Sequence, residues 1–415
     1  MRRHKLSIYC LTIAWFSLCF LFIGCPQGLL FAQDSSQSDS LAIPEHDPLL
    51  VPIGLNRDLS PLEKKRIRAE IVELEKQAQG KFDQGDRREA FLLWFRQLRL
   101  YRAVDLNAEI KALGNVGEIA WQNNLGAELR VINQRLDAIA LKSENGSDQS
   151  ASVQNSDNLI ALGNAFQQIR DLNQAIATYK QLLTQARQLD DIALEQKHLN
   201  TLGKLYLGKF SYLEAAKVYQ ELLQLSQLQA NATLSPSSDQ VAKYYLQLSQ
   251  IYNYLQQPEQ AIVVKEELIE HYKQQNQSDR LGAVRISLGT DYQALENFPL
   301  AIANYTEAEK LGTSTNQLSL ASEALSKLSS LYLQAEKYDL AIATTQDLIA
   351  NERQANNSYG VLTAYERLGK IYLQLENYPQ ALNTFNQALN LAYSLDYQVD
   401  YFTDLVENLQ AKVNQ

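Results

Sequence analysis

Past residue 25 the sequence contains no cysteine, and past residue 1 no methionine. Cys10, Cys19 and Cys25 all fall within the first 32 residues. A chain shortened there has no thiol, which excludes a disulfide framework and a cysteine metal site and leaves packing alone to hold the fold. Histidine is as scarce. His4, His46, His198 and His271 are scattered without a second histidine at ligand spacing, so no metal site is expected. Nine prolines and 17 glycines in 415 residues exclude a collagen-like chain, and 46% apolar residues suffice for a core. There is no glycine-rich phosphate loop and no Gly-x-Ser-x-Gly elbow. The carboxylates read as solvated helix face, so no catalytic residue and no cofactor is assigned, and the chain reads as a non-enzyme.

Positive charge is also in deficit: 38 lysines and arginines face 47 acids, a net charge of −9. Without Arg2, Arg3 and Lys5 the balance is −12. Such a body repels phosphate backbones and anionic lipid, which argues against nucleic acid as a partner and confines membrane contact to the N-terminal segment.

Only one long hydrophobic run is present, Leu6 to Gly24, behind Arg2, Arg3, His4 and Lys5 and ahead of Leu30, Phe31 and Ala32. Residues 1–32 therefore read as a targeting segment, with cleavage after Ala32 preferred. Two tethered readings stay open: the run kept as a membrane anchor, or lipidation of Cys25, since Phe22-Ile23-Gly24-Cys25 resembles a lipobox in which Phe22 stands where leucine is usual. All three place the body outside the cytoplasm. The style of the segment is similar to that of bacterial envelope proteins, cyanobacterial ones among them, so periplasm, secretion or thylakoid lumen is the expected location.

What the sequence has in abundance is self-similarity. Leu162, Leu202, Leu248, Leu288, Leu328 and Leu368 are each followed by a small residue: Gly163, Gly203, Ser249, Gly289, Ser329 and Gly369. An aromatic comes three later: Phe166, Tyr206, Tyr252, Tyr292, Tyr332 and Tyr372. Nine beyond that stands alanine: Ala175, Ala215, Ala261, Ala301, Ala341 and Ala381. Leucine and aromatic four apart share one helix face, and the small residue between them admits a second helix closely. That second helix carries the alanine and, in most units, a bulky residue four later: Tyr179, Tyr219, Tyr305 and Phe385. Pro258, Pro299 and Pro379 precede the alanine, where a helix's first turn tolerates a missing N–H. The repeat is 40 residues, lengthened to 46 once by a polar connection around Pro236.

The motif Leu-Gly-x-x-Tyr followed by Ala-x-x-x-Tyr/Phe resembles the tetratricopeptide repeat, best in the unit with Leu368, Gly369, Tyr372, Ala381, Phe385 and Ala388. The period departs from the common 34 and resembles the longer-helix variant of spindle-orientation adaptors, kinesin light chains and some bacterial peptide-sensing regulators. The resemblance implies an all-α fold, a right-handed superhelical solenoid of antiparallel helix pairs. Six repeats occupy 156–395. A divergent cap precedes them at 61–141, where Ala90, Trp94, Leu113 and Gly114 echo the motif with Gly117 in the aromatic's place. Residues 33–60 read as a linker and 142–155 as a loop. Residues 396–415 read as a C-terminal capping helix with an apolar stripe of Val399, Phe402, Val406, Leu409 and Val413. Asn145-Gly-Ser and Asn231-Ala-Thr read as polar loops rather than glycan acceptors.

In that family the first helix of each pair lines a concave groove. Carried onto this sequence, the groove holds Asn164, Lys204, Gln247, Gln250, Ser287, Thr290, Lys327, Arg367 and Lys370, and the columns they belong to contain no acid. The resemblance implies a protein or peptide partner, and the basic groove points to one with acidic groups. Asp157, Glu323 and Glu366 lie close to these columns. The chaperone-binding carboxylate clamp matches at Asn164 and Lys243 but not at Ile160, Thr201 and Gln247. A second candidate surface is the cap, where Arg96, Arg99 and Arg102 recur at helical spacing. The expected function is an extracytoplasmic protein-interaction scaffold, with a peptide-sensing regulator as the alternative.

Overall fold

The computed structural model describes residue 49 and residues 59–144, 155–228 and 237–413. Within them lie 17 helices and no strand. The N-terminal part comprises α1 (Pro61–Asp83), α2 (Arg87–Val104), α3 (Leu106–Gln122) and α4 (Gly126–Glu144). The six motif-bearing pairs are α5 (Ser156–Gln168) with α6 (Leu172–Gln188), α7 (Ile192–Gly208) with α8 (Tyr212–Leu228), and α9 (Ser238–Tyr254) with α10 (Pro258–Gln274). They continue as α11 (Ser278–Ala294) with α12 (Phe298–Ser314), α13 (Leu318–Gln334) with α14 (Tyr338–Gln354), and α15 (Ser358–Gln374) with α16 (Tyr378–Leu395). The last described helix is α17 (Val399–Val413). Each helix packs on its sequence neighbours, which makes the molecule an all-α solenoid. The predicted targeting segment, Cys25 included, lies outside the described residues, as do most of the predicted linker and both candidate glycan sequons.

The turns explain why helices follow one another so regularly. A residue in the left-handed region, φ 50 to 65°, ends each helix from α5 to α16 whose following turn is described, and none of these residues is glycine. Between α11 and α12, Glu296 N–H donates to Gln293 O (3.0 Å) and Asn297 N–H to Tyr292 O (2.8 Å), the paired bonds that satisfy a helix's last carbonyls. Asn297 then caps the next helix, its side chain accepting from Leu300 N–H. One residue thus closes a helix and opens another, so two helices are reversed with three residues between them. Pro258, Pro299 and Pro379 sit in the first turns of α10, α12 and α16, where no N–H is needed.

The motif residues form the core. Leu162, Leu202, Leu248, Leu288, Leu328 and Leu368 are buried, and the six alanines of the second helices are fully so. The cap departs from the repeats in one respect. After α4 the chain returns so that α5 packs chiefly on α3, and the approach is close because Gly114 and Gly117 lack side chains. A Cβ on Gly117 would collide with Ile169, which accounts for glycine where the repeats carry an aromatic. At the other end Phe402, Val406 and Leu409 of α17 are buried against α16, while Val413 is exposed.

Candidate peptide-binding groove

The position after each small residue, Asn164, Lys204, Gln250, Thr290, Ser330 and Lys370, is exposed in every pair. The position before the leucine is half-buried at Thr201, Gln247, Ser287, Lys327 and Arg367, and buried at Ala161. The first helices thus present one polar row to solvent, as the leucine and aromatic on the opposite face require. Rings from the second helices reach through to support that row. Burial pushes the phenols of Tyr179 and Tyr305 up, so they remain donors. Tyr179 Oη donates to Asn164 Oδ1 at 2.8 Å, and Tyr305 Oη lies 3.1 Å from Thr290 Oγ1.

The basic residues of the row differ in what they are free to do. Arg367 is clamped: Nη1 donates to Ser326 O (2.7 Å) and Ser330 Oγ (2.9 Å), and Nη2 to Ser326 Oγ (3.0 Å), tying α15 to α13. Its burial pulls the guanidinium below its ordinary pKa. Lys370 pairs with Glu366 at 2.6 Å, a carboxylate that also accepts from Tyr401 Oη. Among the described residues, Lys204 and Lys327 pair with no carboxylate. Gln250 Nε2 donates to Tyr254 Oη (3.2 Å), and Ser287 O lies 3.5 Å from Lys265 Nζ.

The arginines of the cap are engaged within the fold. Arg96 pairs with Glu70 at 2.8 Å, and Arg102 with Glu109 at 3.0 Å. Glu109 is 1% exposed and is also held by Arg135 at 2.8 Å, so Arg102 neutralises a buried carboxylate. Arg99 is half-buried.

At the N-terminal end of the row a cavity of about 1090 Å³ opens in front of α3 and α5. Seven carboxamides line it: Asn107, Asn115, Asn155, Asn158, Asn164, Gln167 and Gln168. Lys111, Asp105 and Asp157 add charges of both signs. Cross-helix bonds hold the carboxamides in place, with Asn107 Nδ2 on Asn158 Oδ1 (2.8 Å) and Gln168 Nε2 on Asn115 Oδ1 (3.0 Å). Each carboxamide has two donor hydrogens and an acceptor oxygen, the complement of a peptide group. Of this set only Asn164 is a sequence-predicted groove residue. Of the α3 members, Asn115 follows Leu113 and Gly114 as Asn164 follows Leu162 and Gly163, a place the repeat does mark, whereas Asn107 has no such marker.

Among the described residues no three of His, Cys, Asp or Glu converge to hold a metal, and no helix is long and apolar enough to cross a membrane.

Residues 320–394 match the model of the tetratricopeptide repeat family. Over that stretch, α13 to α16, the chain carries tetratricopeptide repeats. The array is similar in fold to BtubC from P. vanneervenii, at 16% identity and TM-score 0.39, over 54% of this chain and 92% of that one. It is similar also to a signal-transduction ATPase with a tetratricopeptide repeat sensor from Pyrococcus horikoshii, at 16% identity and TM-score 0.42, over 85% of this chain and 50% of that one. Aspartyl phosphate phosphatase F from Bacillus subtilis is 15% identical with TM-score 0.41, over 74% and 79% of the two chains. No curated protein matches. Tetratricopeptide arrays stack helix pairs into extended surfaces suited to holding another chain.

Proposed function

We propose that this protein is an interaction scaffold outside the cytoplasm that holds an extended peptide segment of a partner in front of α3 and α5. The observation that carries this reading is the cavity lined by seven carboxamides. An extended peptide leaves its own N–H and C=O groups unpaired, and a set of fixed carboxamides replaces the water they lose at little cost in ordering. Recognition of this kind reads backbone more than side chains. Preference for acidic side chains then rests further along the row, on Lys204 and Lys327.

The location outside the cytoplasm rests on residues 1–32, and N-terminal sequencing of the exported chain tests it, with Gln33 expected as the first residue. The groove is tested by measuring fluorescence anisotropy of a library of labelled extended peptides with the full mature chain. Asn115→Ala with Asn164→Ala should weaken every bound peptide by about tenfold or more, the loss of one or two good hydrogen bonds. Lys204→Glu with Lys327→Glu should penalise acidic peptides alone. Binding indifferent to the asparagine pair would end the groove reading.

A further inference from the structure

One niche recurs in the array, where a second helix ends, the next first helix begins, and the following second helix packs across both. It opens to about 570 Å³ between α8, α9 and α10, and to about 630 Å³ between α14, α15 and α16. The two are equivalent by helix register: Ser226 takes the place of Glu352, Tyr245 that of Tyr365, and His271 that of Leu391. In the first, polar groups are satisfied internally. Ser226 Oγ donates to Leu222 O (2.7 Å), and His271 Nε2 lies 3.1 Å from both Ser238 Oγ and Ser238 O.

The second niche is built differently. Glu352 is 9% exposed at a position occupied in the other pairs by Ala186, Ser226, Tyr272, Gly312 and Ala392. Among the described residues its carboxylate accepts no hydrogen bond and meets no cation, while it lines the cavity. Room for it comes from Gly360, where the other first helices carry Leu194, Gln240, Arg280 and Leu320, because a Cβ at 360 would collide with the carboxylate. At the mouth stands exposed Arg353, which donates to Tyr365 Oη and lies over that ring at 5.6 Å. The remaining guanidinium hydrogens are available to a second acceptor. Asn356, Asn357, Gln387 and Asn390 add four carboxamides to the wall.

We propose that this niche binds a small zwitterion of the α-amino acid class, its ammonium on the Glu352 carboxylate and its carboxylate on Arg353. The Glu352 carboxylate faces the cavity without a donor or counter-charge among the described residues, and an ammonium supplies both. A simple cation is disfavoured by Arg353 and a simple anion by Glu352, so a ligand bearing both charges is the one the pair suits. The site is separate from the groove in front of α3 and α5 and does not depend on it.

Calorimetry on the full mature chain tests the proposal, with a panel of L-amino acids as probes and butylamine and butyrate as half-ligands. At least one amino acid should bind saturably, with both half-ligands about tenfold weaker or more. Glu352→Gln, of the same shape, should abolish that binding. Arg353→Met, at an exposed position that leaves the core untouched, should lower amino acid affinity to the level of butylamine. The proposal fails if no amino acid binds, if either half-ligand equals the amino acids, or if Glu352→Gln binds as well as the parent chain.

Discussion

A Cβ on Gly289 would stand 2.7 Å from Cε1 of Tyr305, so α11 has no room for a side chain where it crosses α12. The same relation joins Gly163 to Tyr179, Gly203 to Tyr219 and Gly369 to Phe385. Where the small residue is serine, the second helix carries no ring: Lys265 stands in register opposite Ser249, and Ser329 Oγ meets Thr345 Oγ1 at 2.7 Å. Glycine goes with a ring and serine with a slimmer partner, as a crossing of fixed separation demands. Gly289→Leu should therefore cost about 1 to 3 kcal/mol by overpacking. Gly289→Ser combined with Tyr305→Thr should cost less than the sum of the two single changes, because it recreates the pair found at Ser329 and Thr345. Urea unfolding of the four chains of this double-mutant cycle measures the coupling. Strict additivity would show that the two residues do not share one space.

Lys265 at such a crossing reaches the next pair, where its Nζ lies 2.5 Å from Asp291 Oδ2, and both residues are buried. Burial pushes the Asp291 carboxyl up in pKa despite the bond from Lys265, so desolvation is the larger influence. Breaking the pair strands the other charge. Lys265→Met should cost about 3 to 5 kcal/mol, whereas Lys265→Met with Asp291→Leu should recover most of that loss. Thermal unfolding of the two variants decides the matter, and a double variant as unstable as the single one would contradict it.

The helices, their pairing and the buried leucine, glycine and alanine positions were legible because one 40-residue pattern is repeated. Every copy must bury the same face against the same neighbours, so periodicity alone reveals it. The turns were less legible. Glycine is the usual marker of a left-handed helix end, and here Glu296, Glu336 and Glu376 hold that conformation instead. Side-chain destinations were not legible. Arg367 and Lys327 occupy the same column, yet Arg367 meets Ser326 and Ser330 on the preceding first helix, where the equivalent places ahead of Lys327 are Ile286 and Thr290. The same limit hid Glu352, whose exceptional character appears only when its buried place is set beside the uncharged residues of the other copies.

The contrast between Arg367 and Lys204 separates architecture from binding. Arg367→Ala should remove three hydrogen bonds between α13 and α15 and lower stability by about 1 to 3 kcal/mol, the range for hydrogen bonds from a charged donor. Lys204→Ala, exposed and without an ion pair, should change stability by less than about 0.5 kcal/mol. Chemical denaturation of both variants compares them directly. Equal effects would mean that the clamp contributes nothing beyond an ordinary surface residue.

His198 is 3% exposed in α7, its Nδ1 makes no hydrogen bond among the described residues, and the Tyr179 ring lies 6.1 Å away. Burial, with help from Lys197 and against the pull of Asp191, holds its pKa below the ordinary 6.5. The unfolded chain therefore takes up a proton that the folded chain refuses. Stability from this group is complete above about pH 6.5 and falls as the pH drops below it. His198→Val, which copies Val284 at the equivalent place in α11, should lose stability less steeply than the parent between about pH 7.5 and 5.5. Melting temperatures across that interval provide the comparison. Parallel curves would show that His198 is protonated equally in both states.

Phe210 turns the chain from α7 to α8 with φ 59° and is 76% exposed. A bulky side chain in this conformation crowds the following carbonyl, at a cost of roughly 1 to 2 kcal/mol relative to right-handed backbone. Its ring recovers little, since its neighbour Tyr212, 6.3 Å away edge to face, already stacks on Tyr254 at 4.9 Å. Glycine relieves the crowding but loses about 0.5 to 1 kcal/mol through the greater freedom of the unfolded chain. Phe210→Gly should therefore stabilise the protein by up to about 1 kcal/mol, and Phe210→Asn, which tolerates the conformation through its own side chain, should do so without the entropic loss. Differential scanning calorimetry of the two variants reads the sign. A lower melting temperature for both would mean that the exposed ring contributes packing that outweighs its backbone strain.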